Sequence, residues 1–191
     1  MKPLLSLALA LLFAVPALAE HPYDSACQVR VGSSGGTGTL IGLKDGKALV
    51  LTVKHVAERK GQRAVCNWGS QKMSGQVVAV HRKADIALLV VDAPEGIKPV
   101  AVAKAVPENA PFVMAGFPGY DRNTLRWQQG NFEDEDYSYL VITCRPEEGM
   151  SGGPTFDKYG RVVGAVSAYS KTSGYAGDGD ALVELLDAYL E

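Results

Sequence analysis

Three observations predict an all-β chain of two lobes. Short apolar runs rich in Val, Ile, Leu and Ala recur along the 191 residues, at 27–31, 37–43, 48–53, 63–67, 74–80, 86–92, 112–115, 139–144 and 161–167. Each is bounded by Gly, Pro, Asp, Asn or Lys-Asp turns, and strands of this length at this spacing build sandwiches or barrels. Between Ala93 and Pro111 lie four prolines and little strand pattern, which marks a connection between two halves of similar length.

The elements follow in order. Lys2, an apolar run from Leu4 to Val15, the helix-breaking Pro16 and Ala17-Leu18-Ala19 have the layout of an export signal cut after Ala19, with residues 20–191 as the mature domain. The run is shorter than the about 20 residues that span a bilayer, and Glu20 rather than cysteine follows the cut, so neither a membrane anchor nor a lipid anchor is expected. Lys44-Asp45-Gly46-Lys47 and Asp157-Lys158-Tyr159-Gly160 sit between apolar runs with a glycine available for positive φ, and both read as hairpins. At the end, Asp178-Gly179-Asp180 precedes leucines and valine at helical spacing, so a capping aspartate starts a C-terminal helix with one apolar face. The same two aspartates lack the later ligands of a calcium loop.

Composition excludes several function classes. A formal charge of −2 with no long basic run makes nucleic acid an unsuitable partner. Cys27, Cys66 and Cys144 are far apart with no C-x-x-C pair, which gives a zinc site no support, and no other metal or cofactor motif occurs. In an exported chain a disulfide is allowed, and the pairing favoured is Cys27 with Cys66, three buried thiols being the alternative.

Gly149-Met150-Ser151-Gly152-Gly153-Pro154 places a serine in a glycine-lined turn, where its hydroxyl and neighbouring backbone N–H groups can face one carbonyl. A serine nucleophile needs a base, and the chain has only three histidines. His21 lies near the new N-terminus, and His81 sits in a charged strand end that reads as solvated. His55 follows the apolar run 48–53 and is delivered to a strand end, where catalytic groups commonly sit. Asp85 stands at the mouth of the apolar stretch Ile86-Ala87-Leu88-Leu89, and a carboxylate taken out of water there requires a partner such as an imidazole N–H. No histidine follows Ser151, which excludes the chain order of α/β-hydrolases. The order that remains is His55, Asp85, Ser151.

Leu51-Thr52-Val53-Lys54-His55-Val56, Ala84-Asp85-Ile86-Ala87-Leu88-Leu89 and the Ser151 turn resemble the three signature blocks of chymotrypsin-like (trypsin-like) serine proteases. Gly36-Thr37-Gly38-Thr39-Leu40-Ile41-Gly42 resembles the compact bacterial branch that includes high-temperature-requirement proteases and glutamyl endopeptidases. The resemblance spans about residues 35–167. It implies two packed six-stranded antiparallel β-barrels, at about 24–95 and 110–191 with the helix, and a site between them. By it, Ser151 is nucleophile, His55 general base, Asp85 the orienting carboxylate, and the N–H groups of Gly149 and Ser151 the oxyanion hole. Ser167 matches a substrate-flanking segment whose serine also supports the aspartate. The implied activity is a secreted or periplasmic endopeptidase acting on polypeptides, with a catalytically silent protein-binding homologue and a small esterase as rivals.

Two positions depart from the family. Met150 replaces the aspartate that binds a freed N-terminus in digestive relatives, and a thioether cannot accept that ion pair. Arg145 matches the base of the primary specificity pocket and Tyr169 a wall position usually held by glycine, an arrangement that ranks small apolar substrate residues first and acidic ones second. An exposed Arg145 paired with Glu147 or Glu148 is the structural alternative. No protein-interaction segment follows the helix, so a free-standing protease is expected rather than a regulated oligomer.

Overall fold

The computed structural model describes residues 21–103, 105, 111–120, 124–136, 139–177 and 179–190. The export signal at 1–19 and the capping Asp178 lie outside the described residues. Six strands, β1 (Ala26–Val31), β2 (Ser34–Lys44), β3 (Lys47–Thr52), β4 (Arg63–Trp68), β5 (Gln71–Val80) and β6 (Ala87–Asp92), close a first barrel in the order β1-β2-β3-β6-β5-β4. A second barrel uses β7 (Pro111–Gly116), β8 (Arg126–Asp136), β9 (Tyr139–Ile142), β10 (Pro154–Phe156), β11 (Val162–Tyr169) and β12 (Gly174–Gly177). Its ring, β10-β11-β12-β9-β8-β7, repeats the connectivity of the first. Every ladder between these strands is antiparallel, and closure leaves no sheet edge.

Alternation along the strands explains the two cores. Val29, Val31, Leu40, Val50, Val77 and Leu89 share one face of the first barrel's strands and are at most 3 % exposed, while Leu51 and Leu88, paired with each other on the opposite face, are buried as well. Phe112, Met114, Leu140, Ile142 and Val163 fill the second. Each such aliphatic or aromatic side chain contributes about 1.5–3 kcal/mol by leaving water. The β2–β3 hairpin turns on Asp45 and Gly46, with φ of 51° and 71°, the two positive values that a two-residue type I′ turn requires.

Three strands differ from the sequence reading, and all lie in the second barrel. β8 is Arg-Trp-Gln-Gln-Gly-Asn-Phe-Glu-Asp-Glu-Asp, mostly polar, and its ladders to β7 and β9 hold it rather than an apolar face. β10 has three residues, too few to show a period. β12, Gly-Tyr-Ala-Gly, has glycine at both ends because neighbours crowd it: a Cβ on Gly177 would meet Ile86 Cγ1 of the first barrel at 2.9 Å, and one on Gly174 would meet Pro146 and Met114 of its own barrel within 2.8 Å. Close approach of this kind removes the side chains by which a strand is recognised.

The connection from β6 crosses back over the first barrel. Val100 N–H donates to Leu40 O, then Val102 forms a parallel bridge with Val162 at the start of β11. The C-terminal helix α1 (Gly179–Leu190) lays Ala181, Leu182 and Leu185 on the core of the first barrel. Cys27 and Cys66 are neighbours inside that core as free thiols, which corrects the disulfide expectation, and Cys144 is also free and buried. They act as small apolar fillers: burial, followed by the neighbouring Cys66, pushes the Cys27 thiol up, and burial pushes Cys144 to about 11. Among the described residues no helix is long and apolar enough to cross a membrane, and no cluster of three His, Cys, Asp or Glu could hold a metal.

Leu182 is wholly buried at the helix contact. Truncation by Leu182→Ala is expected to lower stability by about 2–5 kcal/mol, read from urea unfolding; a change below 1 kcal/mol would show that the helix contributes nothing to the first barrel's core.

Candidate active site

The seam between the barrels gathers the residues singled out by chain order. β3 ends at Thr52, and the turn that follows presents His55. The turn leading into β6 presents Asp85 on the same side. His55 binds this carboxylate twice: its backbone N–H donates to Oδ1 at 2.9 Å and its ring Nδ1 to Oδ2 at 2.7 Å. Ser167, from β11 of the other barrel, donates its hydroxyl to the same Oδ2. Asp85 is 14 % exposed and the imidazole 49 %, so the acid is enclosed while the ring reaches the cleft.

These contacts set the protonation states. Asp85 bonding is the largest cause of a raised His55 pKa, outweighing the burial that works against the charged ring. For Asp85, burial acts upwards, but the His55 ring, the Ser167 hydroxyl, the imidazolium charge and the His55 amide together hold the carboxyl below its usual range. An Nδ1–H pointing at Asp85 leaves Nε2 free as a base.

Ser151 lies in a turn fixed from several sides. Gly149 has a φ of 95°, the value required of the third residue of a type II turn, here Glu147–Met150 closed by Met150 N–H to Glu147 O at 3.1 Å. Glu148 O accepts the Gly119 N–H at 2.8 Å, so in the trans peptide the Gly149 N–H faces the opposite way. Gly152, at φ 88°, passes so close to β2 that a Cβ there would meet Thr37 O and Thr52 Oγ1. Thr37 N–H donates to Ser151 O at 2.7 Å, which ties the turn to the corner from which His55 emerges. No hydrogen bond joins Ser151 Oγ to His55 among the described residues; such contacts are commonly long without substrate.

Met150 is fully buried in the second core, and its Sδ accepts the Glu147 N–H at 3.2 Å. The side chain that cannot take an ion pair instead plugs the turn into the barrel. Arg145 and Tyr169 do meet, the guanidinium lying 5.6 Å from the ring centroid. They line a cleft of about 460 Å³ with Gln128, Pro146, Glu147 and Glu148. Arg145 is not paired with either glutamate; Glu147 instead lies 3.6 Å from Arg126. Ser167 points away from this cleft, to Asp85.

His81 corrects the sequence reading of a solvated residue. It is 11 % exposed, accepts the Ala84 N–H at Nδ1, lies 3.4 Å from Glu184 of α1, and donates its own N–H to Ile86 O. It closes the loop that carries Asp85. The sequence reading also gave no role to Thr37 or Gly119; Thr37 lies inside the Gly36–Gly42 motif, whereas Gly119 had no signal beyond its own flexibility, used here at φ 61°.

Two barrels of one topology meeting at a Ser, His and Asp seam define the chymotrypsin-like serine proteases. The chain belongs to the trypsin-like peptidase domain family, whose model matches residues 36–164. It is 31% identical over 157 residues to serine protease HTRA1 of Xenopus laevis, covering 75% of this chain and 33% of that protein. It is 30% identical over 146 residues to the uncharacterized protein y4bJ of Sinorhizobium fredii, covering 71% and 22%. The chain thus spans a third or less of the length of these curated relatives. Among solved structures, the inactive form of the Rv3671c protease of M. tuberculosis superposes with a TM-score of 0.69 at 21% identity, covering 88% of this chain and 90% of that one. The serine endoprotease from Yersinia pestis gives 0.74 at 17% identity, covering 88% and 63%.

The paired pKa shifts have opposite signs. The raised His55 pKa contributes stability below the ordinary imidazole value of 6.5, lost as pH rises through the raised pKa; the lowered Asp85 pKa contributes above the ordinary 3.8, lost as pH falls through the lowered pKa. Asp85→Asn is therefore expected to bring the His55 ring midpoint down, followed by NMR titration, and an unmoved midpoint would contradict the pairing.

Proposed function

We propose that the chain is an exported serine endopeptidase that cleaves polypeptides through an acyl-enzyme. Ser151 Oγ attacks the scissile carbonyl while His55 Nε2 takes its proton. The carbonyl π electrons move onto oxygen, and the oxyanion is received by the N–H groups of Gly149 and Ser151. Collapse expels the amine, protonated by His55, and water activated by the same imidazole then releases the acid and restores Ser151. Asp85 keeps its charge, holds the imidazole tautomer and stabilises the imidazolium. The observation that carries the reading is the doubly bonded His55–Asp85 pair, braced by Ser167 from the opposite barrel.

Residues 1–19 act as the export signal and are removed, leaving 20–191 as the protease domain. The buried Met150 supports activity without insertion of a freed N-terminus, because the turn is already anchored by its own side chain. Arg145 and Tyr169 form the rim of the primary pocket. Gly174, opposite Tyr169 on the neighbouring strand, is closed in by Pro146 and Met114, and the Tyr169 ring narrows the pocket mouth. It takes small apolar side chains first and acidic ones second, the latter facing the Arg145 guanidinium.

Labelling by a fluorophosphonate is expected at Ser151 in the folded mature protein, abolished by Ser151→Ala and reduced about 10⁴-fold or more by His55→Ala. An unlabelled folded wild type would refute the assignment. In peptide-library profiling, cleavage is expected after small apolar residues, with a weaker set after Asp and Glu that Arg145→Ala removes; a dominant preference for Lys or Arg would overturn the pocket assignment.

A further inference from the structure

Thr37 lies on β2 of the first barrel, wholly buried, and every polar group it owns is engaged with the seam. Its backbone N–H donates to Ser151 O at 2.7 Å, and its own carbonyl accepts the Thr52 hydroxyl at 2.9 Å. Its Oγ1 accepts the Phe117 N–H at 3.0 Å and lies 2.9 Å from Gly149 O. The polarity is unambiguous. An amide N–H cannot accept, so the single hydroxyl proton goes to the Gly149 carbonyl.

We infer that Thr37 is a positioning residue of the oxyanion site, acting through the Gly149 carbonyl. Two consecutive peptides run through Gly149. The first is oriented by Gly119 N–H on Glu148 O, the second by Thr37 Oγ1 on Gly149 O. Fixing both carbonyls fixes ψ as well as φ at a residue with no Cβ to restrict it, and thereby the direction of the Gly149 N–H. The Thr37 N–H on Ser151 O holds the carbonyl two residues further on in the same way, so one residue of the first barrel brackets the donor peptides of the second. A donor aimed in advance at the developing charge stabilises it without reorganisation. The inference rests on the endopeptidase reading above, since it assigns Thr37 a part in that reaction.

The bond pattern separates positioning from filling. Serine keeps the hydroxyl and loses a methyl; valine keeps the shape and loses both the donor to Gly149 and the acceptor for Phe117. With an N-acyl alanine p-nitrophenyl ester as substrate, Thr37→Val is expected to lower kcat about 10- to 100-fold with KM within about threefold of wild type, a partial loss of oxyanion stabilisation. Affinity for a peptide aldehyde, whose hemiacetal oxygen occupies the oxyanion site, should fall by a similar factor. The pH midpoint of kcat/KM should stay in place, because His55 and Asp85 are untouched, and Thr37→Ser should restore kcat to within about threefold. If Thr37→Val does not fold, Thr37→Ala against Thr37→Ser makes the same comparison. With an active wild type, unchanged kcat and aldehyde affinity in Thr37→Val, or failure of serine to rescue, would overturn the role of Thr37 alone. An inert wild type that also resists the fluorophosphonate would overturn the catalytic reading itself, and this inference with it.

Discussion

A nearly enclosed carboxylate at the seam of two barrels is the constraint around which this molecule is arranged. Asp85 is 14 % exposed, and an ionised group so placed is tolerated only when its lone pairs are taken. Its partners come from both halves: two from His55 after β3, one from Ser167 on β11. Satisfying the charge therefore requires the barrels to dock. The same contacts orient the imidazole, so packing and chemistry are settled by one set of bonds.

The Ser151 turn obeys the same logic with backbone groups in place of a charge. Its carbonyls at 148, 149 and 151 are held by Gly119 N–H, Thr37 Oγ1 and Thr37 N–H, and its interior by the buried Met150. Glycine is required at 152 because the backbone of β2 occupies the space of a side chain. A turn fixed at this many points has little freedom left to lose on binding a transition state. On the proposed reading, these anchors replace the ion pair that a thioether at position 150 cannot make.

Support reaches further back on the acid side. His81 uses its backbone and its ring to close the loop bearing Asp85 and faces Glu184 of α1, so the C-terminal helix buttresses the loop as well as covering the first core. The connection between the barrels does related work, hydrogen-bonding Leu40 of β2 and then Val162 of β11 as it crosses. Barrel docking is thus enforced by chain that carries no candidate catalytic group.

The sequence by itself determined the parts whose chemistry is local. Short apolar runs bounded by turn residues marked nine of the strands, the count and order of histidines selected His55, and the glycine-lined turn presented Ser151. β8, β10 and β12 escaped because ladders or close approach, not apolar faces, create them. The free state of Cys27 and Cys66 and the burial of His81 escaped because neither thiol geometry nor the approach of a helix over 100 residues away is written in the flanking residues. Thr37 reads as one more residue of a glycine-rich strand; only docking of the barrels puts its hydroxyl on the Gly149 carbonyl. Residue types and spacing fix which chemistry is available, whereas the direction of a peptide N–H depends on what its neighbouring carbonyls meet, and only the tertiary structure decides that.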